Sequence, residues 1–108
     1  MVNPPTTGNA LLQVDVQNDP HRPRIPSAFN LPGSRYAGVY RICVDQAGEV
    51  TSVATRRSAG APQIDDGFRT AIATWRYRPL EVGNEPVAFC YSLRLAVDGP
   101  PGSGYASR

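Results

Sequence analysis

Two cysteines, one histidine and a pair of adjacent aspartates carry most of the reactive chemistry in this 108-residue chain. Cys43 and Cys90 offer a disulfide or two thiols, and His21 offers proton transfer or a metal ligand. Asp65 and Asp66 offer paired carboxylates. Their settings argue against catalysis. His21 stands in a proline-rich run, Pro20-His21-Arg22-Pro23, with no partner that the sequence places beside it. The two aspartates open an amphipathic run, where acids complement the helix dipole. Two cysteines and one distant histidine make a poor zinc set. No nucleophile motif or phosphate-binding loop occurs. The chain is read as a non-enzyme with no metal and no cofactor.

Arginine dominates the basic chemistry. All 11 basic residues are arginine, yet the net charge is only +2. They are scattered along the chain, which fits a solvated surface better than a nucleic-acid footprint. Arg76 and Arg78 flank Tyr77, and with sheet aromatics they would suit a small RNA-binding module. Tyr40, Phe89 and Tyr91, however, alternate onto the face that should be core. The two arginines are read instead as neutralising the last carbonyls of a helix, and no nucleic-acid partner is expected.

The elements that would position these residues follow from periodicity. At this length the chain holds one domain. The sequence contains 11 prolines and 10 glycines, concentrated at residues 4–8, 20–33 and 99–104. Residues 1–9 are expected to be disordered, residues 10–98 to form the domain, and residues 99–108 to be a disordered tail. Leu12, Val14 and Val16 alternate with polar residues and suggest a short extra strand. The prolines between residues 20 and 35 deny regular pairing, although Ile25, Phe29 and Leu31 would lie against the core.

Residues 37–45 read as a strand with Tyr40, Ile42 and Val44 on one face and Val39, Arg41 and Cys43 on the other. Asp45-Gln46-Ala47-Gly48 reads as a hairpin loop whose glycine supplies positive φ. Residues 49–57 return, and the broken alternation of Val50 and Val53 implies a bulge near residues 51–52. Phe68, Ala71, Ile72 and Trp75 share a helical face, with Ile64 packing on Phe68. Pro79 forces the chain out of helix by Tyr77 or Arg78. Residues 81–86 read as a turn, and residues 87–97 as the longest strand.

This order gives an α+β fold: a three-stranded antiparallel sheet with one helix across a face, extended at most by residues 10–17. Its expected core is Tyr40, Ile42, Val44, Phe68, Ile72, Trp75 and Pro79. A right-handed crossover after the second strand sets the last strand beside the first, antiparallel to it. Cys43 and Cys90 then sit on neighbouring strands, on the face away from the helix, and a disulfide is favoured over two half-exposed thiols. Residues 87–97 become a sheet edge. A long edge strand is either protected or used for recognition.

No run is apolar and long enough to span a bilayer, and residues 1–10 lack the pattern of a secretion signal. The chain is therefore either soluble and cytosolic or a piece of a longer anchored or exported protein.

Several stretches together resemble a known family. They are Tyr36-Ala37-Gly38-Val39-Tyr40-Arg41-Ile42-Cys43-Val44-Asp45-Gln46-Ala47-Gly48-Glu49-Val50, Ser58-Ala59-Gly60, Ile64-Asp65, Trp75-Arg76-Tyr77-Arg78-Pro79 and Gly83-Asn84-Glu85-Pro86-Val87. They look like the C-terminal domain of the TonB energy-transducer family, over roughly residues 36–97. The resemblance implies a periplasmic domain of a protein anchored in the inner membrane, with a motor complex engaged through an N-terminal region not included here. It implies an outer-membrane or periplasmic protein segment as partner, added as a strand along Phe89, Cys90, Tyr91, Ser92, Leu93 and Arg94. The same fold would also serve motility or secretion machinery, or self-associate as a homodimer.

The chain departs from the family in its two cysteines, in its lack of an anchor and long linker, and in its tail. The tail and the alternating segment 10–17 are positioned in sequence to cover the binding edge.

Overall fold

A computed structural model describes residues 10–16, 18 and 20–100. The disorder expected for residues 1–9 and for residues 101–108 of the tail lies outside the described residues.

Period-two alternation builds the sheet. Strand β1 (Arg35–Val44) and strand β2 (Val50–Arg57) form an antiparallel pair, and strand β5 (Phe89–Asp98) lies antiparallel along the other side of β1. The spatial order is β2-β1-β5. It is the order that the crossover rule predicts, because the connection between β2 and β5 carries the helix over one face. Thr51 lies unopposed where the register slips between Cys43 and Val44, so the expected bulge is present. A second slip leaves Arg56 unopposed near the far end of β2.

The β1–β2 loop is fixed by one carboxylate and one glycine. The Asp45 carboxylate accepts the backbone N–H groups of Ala47 and Glu49, each at 2.9 Å, the usual way for aspartate to mimic a turn. Gly48 has φ of 85°. A Cβ there would stand 1.9 Å from the Tyr77 carbonyl oxygen. Conformation and space both demand glycine. Gly48→Ala is expected to cost about 2 kcal/mol, measured as a lower urea midpoint at unchanged m-value.

Helix α1 (Pro62–Ile72) starts on a proline in its first turn, where the missing N–H costs nothing. Ile64, Phe68, Ala71 and Ile72 are buried, the i, i+4, i+7, i+8 stripe of a core-facing helix. The helix stops earlier than the sequence suggested. Trp75 lies three residues past Ile72, and Arg76 and Tyr77 are extended, bridged to Glu49 and Leu12 respectively. The reason is competition for backbone. The Tyr77 N–H donates to the Gly48 carbonyl at 2.9 Å, and the Arg78 N–H to the Leu11 carbonyl at 2.7 Å. The arginines therefore do not cap the helix: Arg76 pairs instead with Glu49 at 2.9 Å.

Residues 81–86 are more than a turn. Strands β3 (Leu80–Val82) and β4 (Glu85–Val87) form a small antiparallel hairpin around Gly83 and Asn84. Both have positive φ, 61° and 68°, the demand of a two-residue hairpin loop.

The core lies between α1 and the sheet. Tyr40, Ile42, Val44, Phe68, Ile72 and Trp75 are buried as expected, and they are joined by Ile64, Tyr77, Phe89 and Tyr91. Pro79 is exposed and leaves the core list, since it follows Tyr77 outward toward the β3–β4 hairpin. Leu31 is likewise 57% exposed, because the turn after Phe29 carries it away from the sheet.

The N-terminal alternation does not become a strand. Leu12 makes a single bridge to Tyr77, and the Gln13 N–H donates to the Arg76 carbonyl at 2.8 Å. Residues 11–13 thus lie along the segment after the helix and leave the β5 edge alone.

Candidate functional site

The recognition surface suggested by the sequence is the outer edge of β5, and the register shows what that edge presents. Among the described strands β5 pairs only with β1. The Gly99 N–H donates to the Ser34 carbonyl at 2.7 Å, which makes 34 and 99 a hydrogen-bonded pair. Antiparallel ladders alternate. Residues 89, 91, 93, 95 and 97 therefore turn their backbone groups toward β1, and residues 90, 92, 94, 96 and 98 turn theirs outward. Of the six residues assigned to the edge, Cys90, Ser92 and Arg94 offer N–H and C=O groups to the free side. Phe89, Tyr91 and Leu93 spend theirs on β1 and their side chains on the helix face. Ala96 lengthens the outward row, and at its far end Val97 and Asp98 share a cavity with Arg22, Arg24, Ile25 and Asn30 of the proline-rich segment. The disordered tail expected from residue 99 gives way at its start to pairing: the Gly33 N–H also reaches the Pro100 carbonyl at 2.7 Å.

Cys43 and Cys90 form a disulfide. They are directly opposed across β1 and β5 with Cα atoms 4.0 Å apart, at the closer of the two antiparallel spacings. The bond ties the first turn of the edge strand to the centre of the sheet. It is compatible with an oxidising, extracytoplasmic compartment. Among the described residues no helix is long and apolar enough to cross a membrane.

The side chains beneath the edge are held by two buried polar contacts that periodicity does not reveal. Asp65 is only 5% exposed. Burial alone would raise its pKa, but hydrogen bonds outweigh it and hold the carboxyl below the ordinary range. The donors are the Ala59 N–H at 2.9 Å, the Ser58 hydroxyl at 2.6 Å and the Tyr40 hydroxyl at 2.7 Å. Tyr40 is pushed up by burial and by donating to that carboxylate. Gly38 makes the contact possible, since a Cβ there would lie 2.7 Å from the Tyr40 hydroxyl. Asp65 is therefore more than a helix-start acid: it locks β1, the β2–α1 connection and α1 together. The second contact joins Tyr77 and Tyr91, hydroxyl to hydroxyl, at 2.7 Å, and burial raises both. Tyr91 reaches it from the inner face of β5.

His21, unplaced by sequence, meets the Thr74 hydroxyl through Nδ1 at 2.9 Å, and its carbonyl accepts the Trp75 indole N–H at 2.8 Å. These contacts fasten the proline-rich segment to the end of α1. Among the described residues, His, Cys, Asp and Glu form no group of three that would hold a metal ion. No protein-family model matches this chain, and no curated protein matches it.

Proposed function

We propose that this chain is a periplasmic protein-binding domain of a TonB-like energy transducer, and that it takes an outer-membrane or periplasmic protein segment as an added strand on β5. A longer, inner-membrane-anchored protein would carry it to the motor complex. The observation that carries the reading is the outward row of backbone donors and acceptors from Cys90 to Ala96, backed by a packed helix–sheet core. A preformed edge of this length lets a partner gain a ladder of hydrogen bonds without reorganising the domain. The order of elements agrees with the resemblance in the sequence, and the disulfide, though not a trait of that family, suits an oxidising compartment.

Proline scanning tests it, because alternate residues use opposite sides of the strand. Ser92→Pro removes one outward N–H and is compatible with an edge strand. It is expected to keep the native circular dichroism and to weaken capture of outer-membrane proteins by the immobilised domain about tenfold or more. Leu93→Pro removes a β1 bond and should destabilise the fold itself. A folded Ser92→Pro variant with undiminished capture rejects strand addition at this edge.

A further inference from the structure

The face of the sheet opposite α1 carries more arginines than acids. The register sets Arg57, Val39 and Arg94 in one row across β2, β1 and β5, and Arg41 in the next row between Ala54 and Ser92. Arg57 and Arg94 are exposed and Arg41 is half-buried. None of the three forms an ion pair with another described residue. The face has one described carboxylate, Asp98, and Arg35 takes it at 3.6 Å. On the helix side of the same edge strand, Leu93 and Leu95 are only half-buried. A strand added to β5 would therefore meet two environments on alternate residues, cationic on one side and apolar on the other.

We propose that the segment added to β5 is an acidic, alternating one. Its carboxylates lie on the open face against Arg94, with Arg41 and Arg57 behind, and its apolar residues lie against Leu93 and Leu95. The inference rests on the strand-addition reading above and adds the chemistry of the partner. Directly opposed side chains on neighbouring strands are close enough for charge to discriminate. Arg41, one strand further in, lies about 10 Å from the added strand, near a Debye length at physiological salt, whereas Arg57, two strands in at about 14 Å, is largely screened. Arg94 also argues against a lysine or arginine set directly opposite it on the added strand.

The test uses the full chain and three synthetic ten-residue peptides in which valine alternates with aspartate, serine or lysine. Binding is followed by amide shifts of residues 90–98. At low salt the aspartate peptide is expected to bind about tenfold tighter than the lysine peptide, with serine between, and the preference should fade at 1 M salt. Arg94→Glu should reverse the order, and Arg94→Gln should flatten it. Circular dichroism checks that both variants are folded.

Equal binding of all three peptides at the β5 amides overturns the acidic partner and leaves strand addition standing. Absence of any shift at those amides overturns both. Concentration-dependent dimerisation that shifts the same amides without peptide overturns the proposal in favour of a second copy of this chain.

Discussion

Replacing Cys43 and Cys90 together with serine is expected to lower the unfolding free energy by about 4 kcal/mol, the chain-entropy value for a loop of this size. The bond spans 47 residues of sequence, so the open unfolded chain regains a large ensemble. A domain of this length has a total stability of roughly 5–15 kcal/mol, so the loss takes a large share of it. Urea unfolding of oxidised protein, reduced protein and the double variant measures the effect, and the last two should agree. A local consequence should accompany it. The disulfide sits at the start of β5, so the amides of Tyr91 and Leu93, bonded to β1, should exchange faster once it is gone. A reduced protein as stable as the oxidised one would show that the sheet holds its edge strand without the cross-link.

Asp65→Ala is expected to cost about 3 kcal/mol, because it strands buried donors as well as losing bonds. The Tyr40 hydroxyl and the Ala59 N–H both lie in the interior and lose their acceptor. Asp65→Asn should cost less, since its side-chain oxygen still accepts. The pH dependence separates charge from shape. The folded carboxyl titrates below its ordinary range, so its contribution is complete above about pH 5, where the unfolded carboxylate is almost fully ionised. It is lost as pH falls through the lower folded-state value. Unfolding free energies measured from pH 6 down to pH 2 should therefore fall less steeply in Asp65→Asn than in the parent. Equal slopes would mean that other carboxylates govern acid unfolding.

Much of the sheet was legible because its signals are local and strictly periodic. Tyr40, Ile42 and Val44 against Val39, Arg41 and Cys43 define two faces by alternation alone. Gly48 marks its turn, and the broken spacing of Val50 and Val53 marks the bulge. With the crossover rule, these suffice to place β5 beside β1 and to set Cys43 and Cys90 on neighbouring strands, while their direct opposition is a matter of register. The free edge follows from the same steps, and so does the identity of the strand that forms it.

Where the structure departs from local periodicity, the backbone has a partner distant in sequence. Trp75, Arg76 and Tyr77 continue a helical pattern locally, yet Tyr77 binds Gly48 and Arg78 binds Leu11, and those bonds draw the chain out of helix. Leu12, Val14 and Val16 alternate as a strand would, yet among the described residues no strand lies alongside them. Pro79 belongs to the expected core, yet the exit after Tyr77 carries it to solvent.

The sequence by itself determined the fold class, the faces of β1 and β5, and the placing of the two cysteines on neighbouring strands, because burial period and chain handedness act over short distances. Tertiary structure alone decided which backbone groups of β5 face outward, how Asp65 and Tyr40 meet, and which arginines share the open face. Those depend on register and packing between segments dozens of residues apart, where a slip of one residue exchanges every inward group for an outward one.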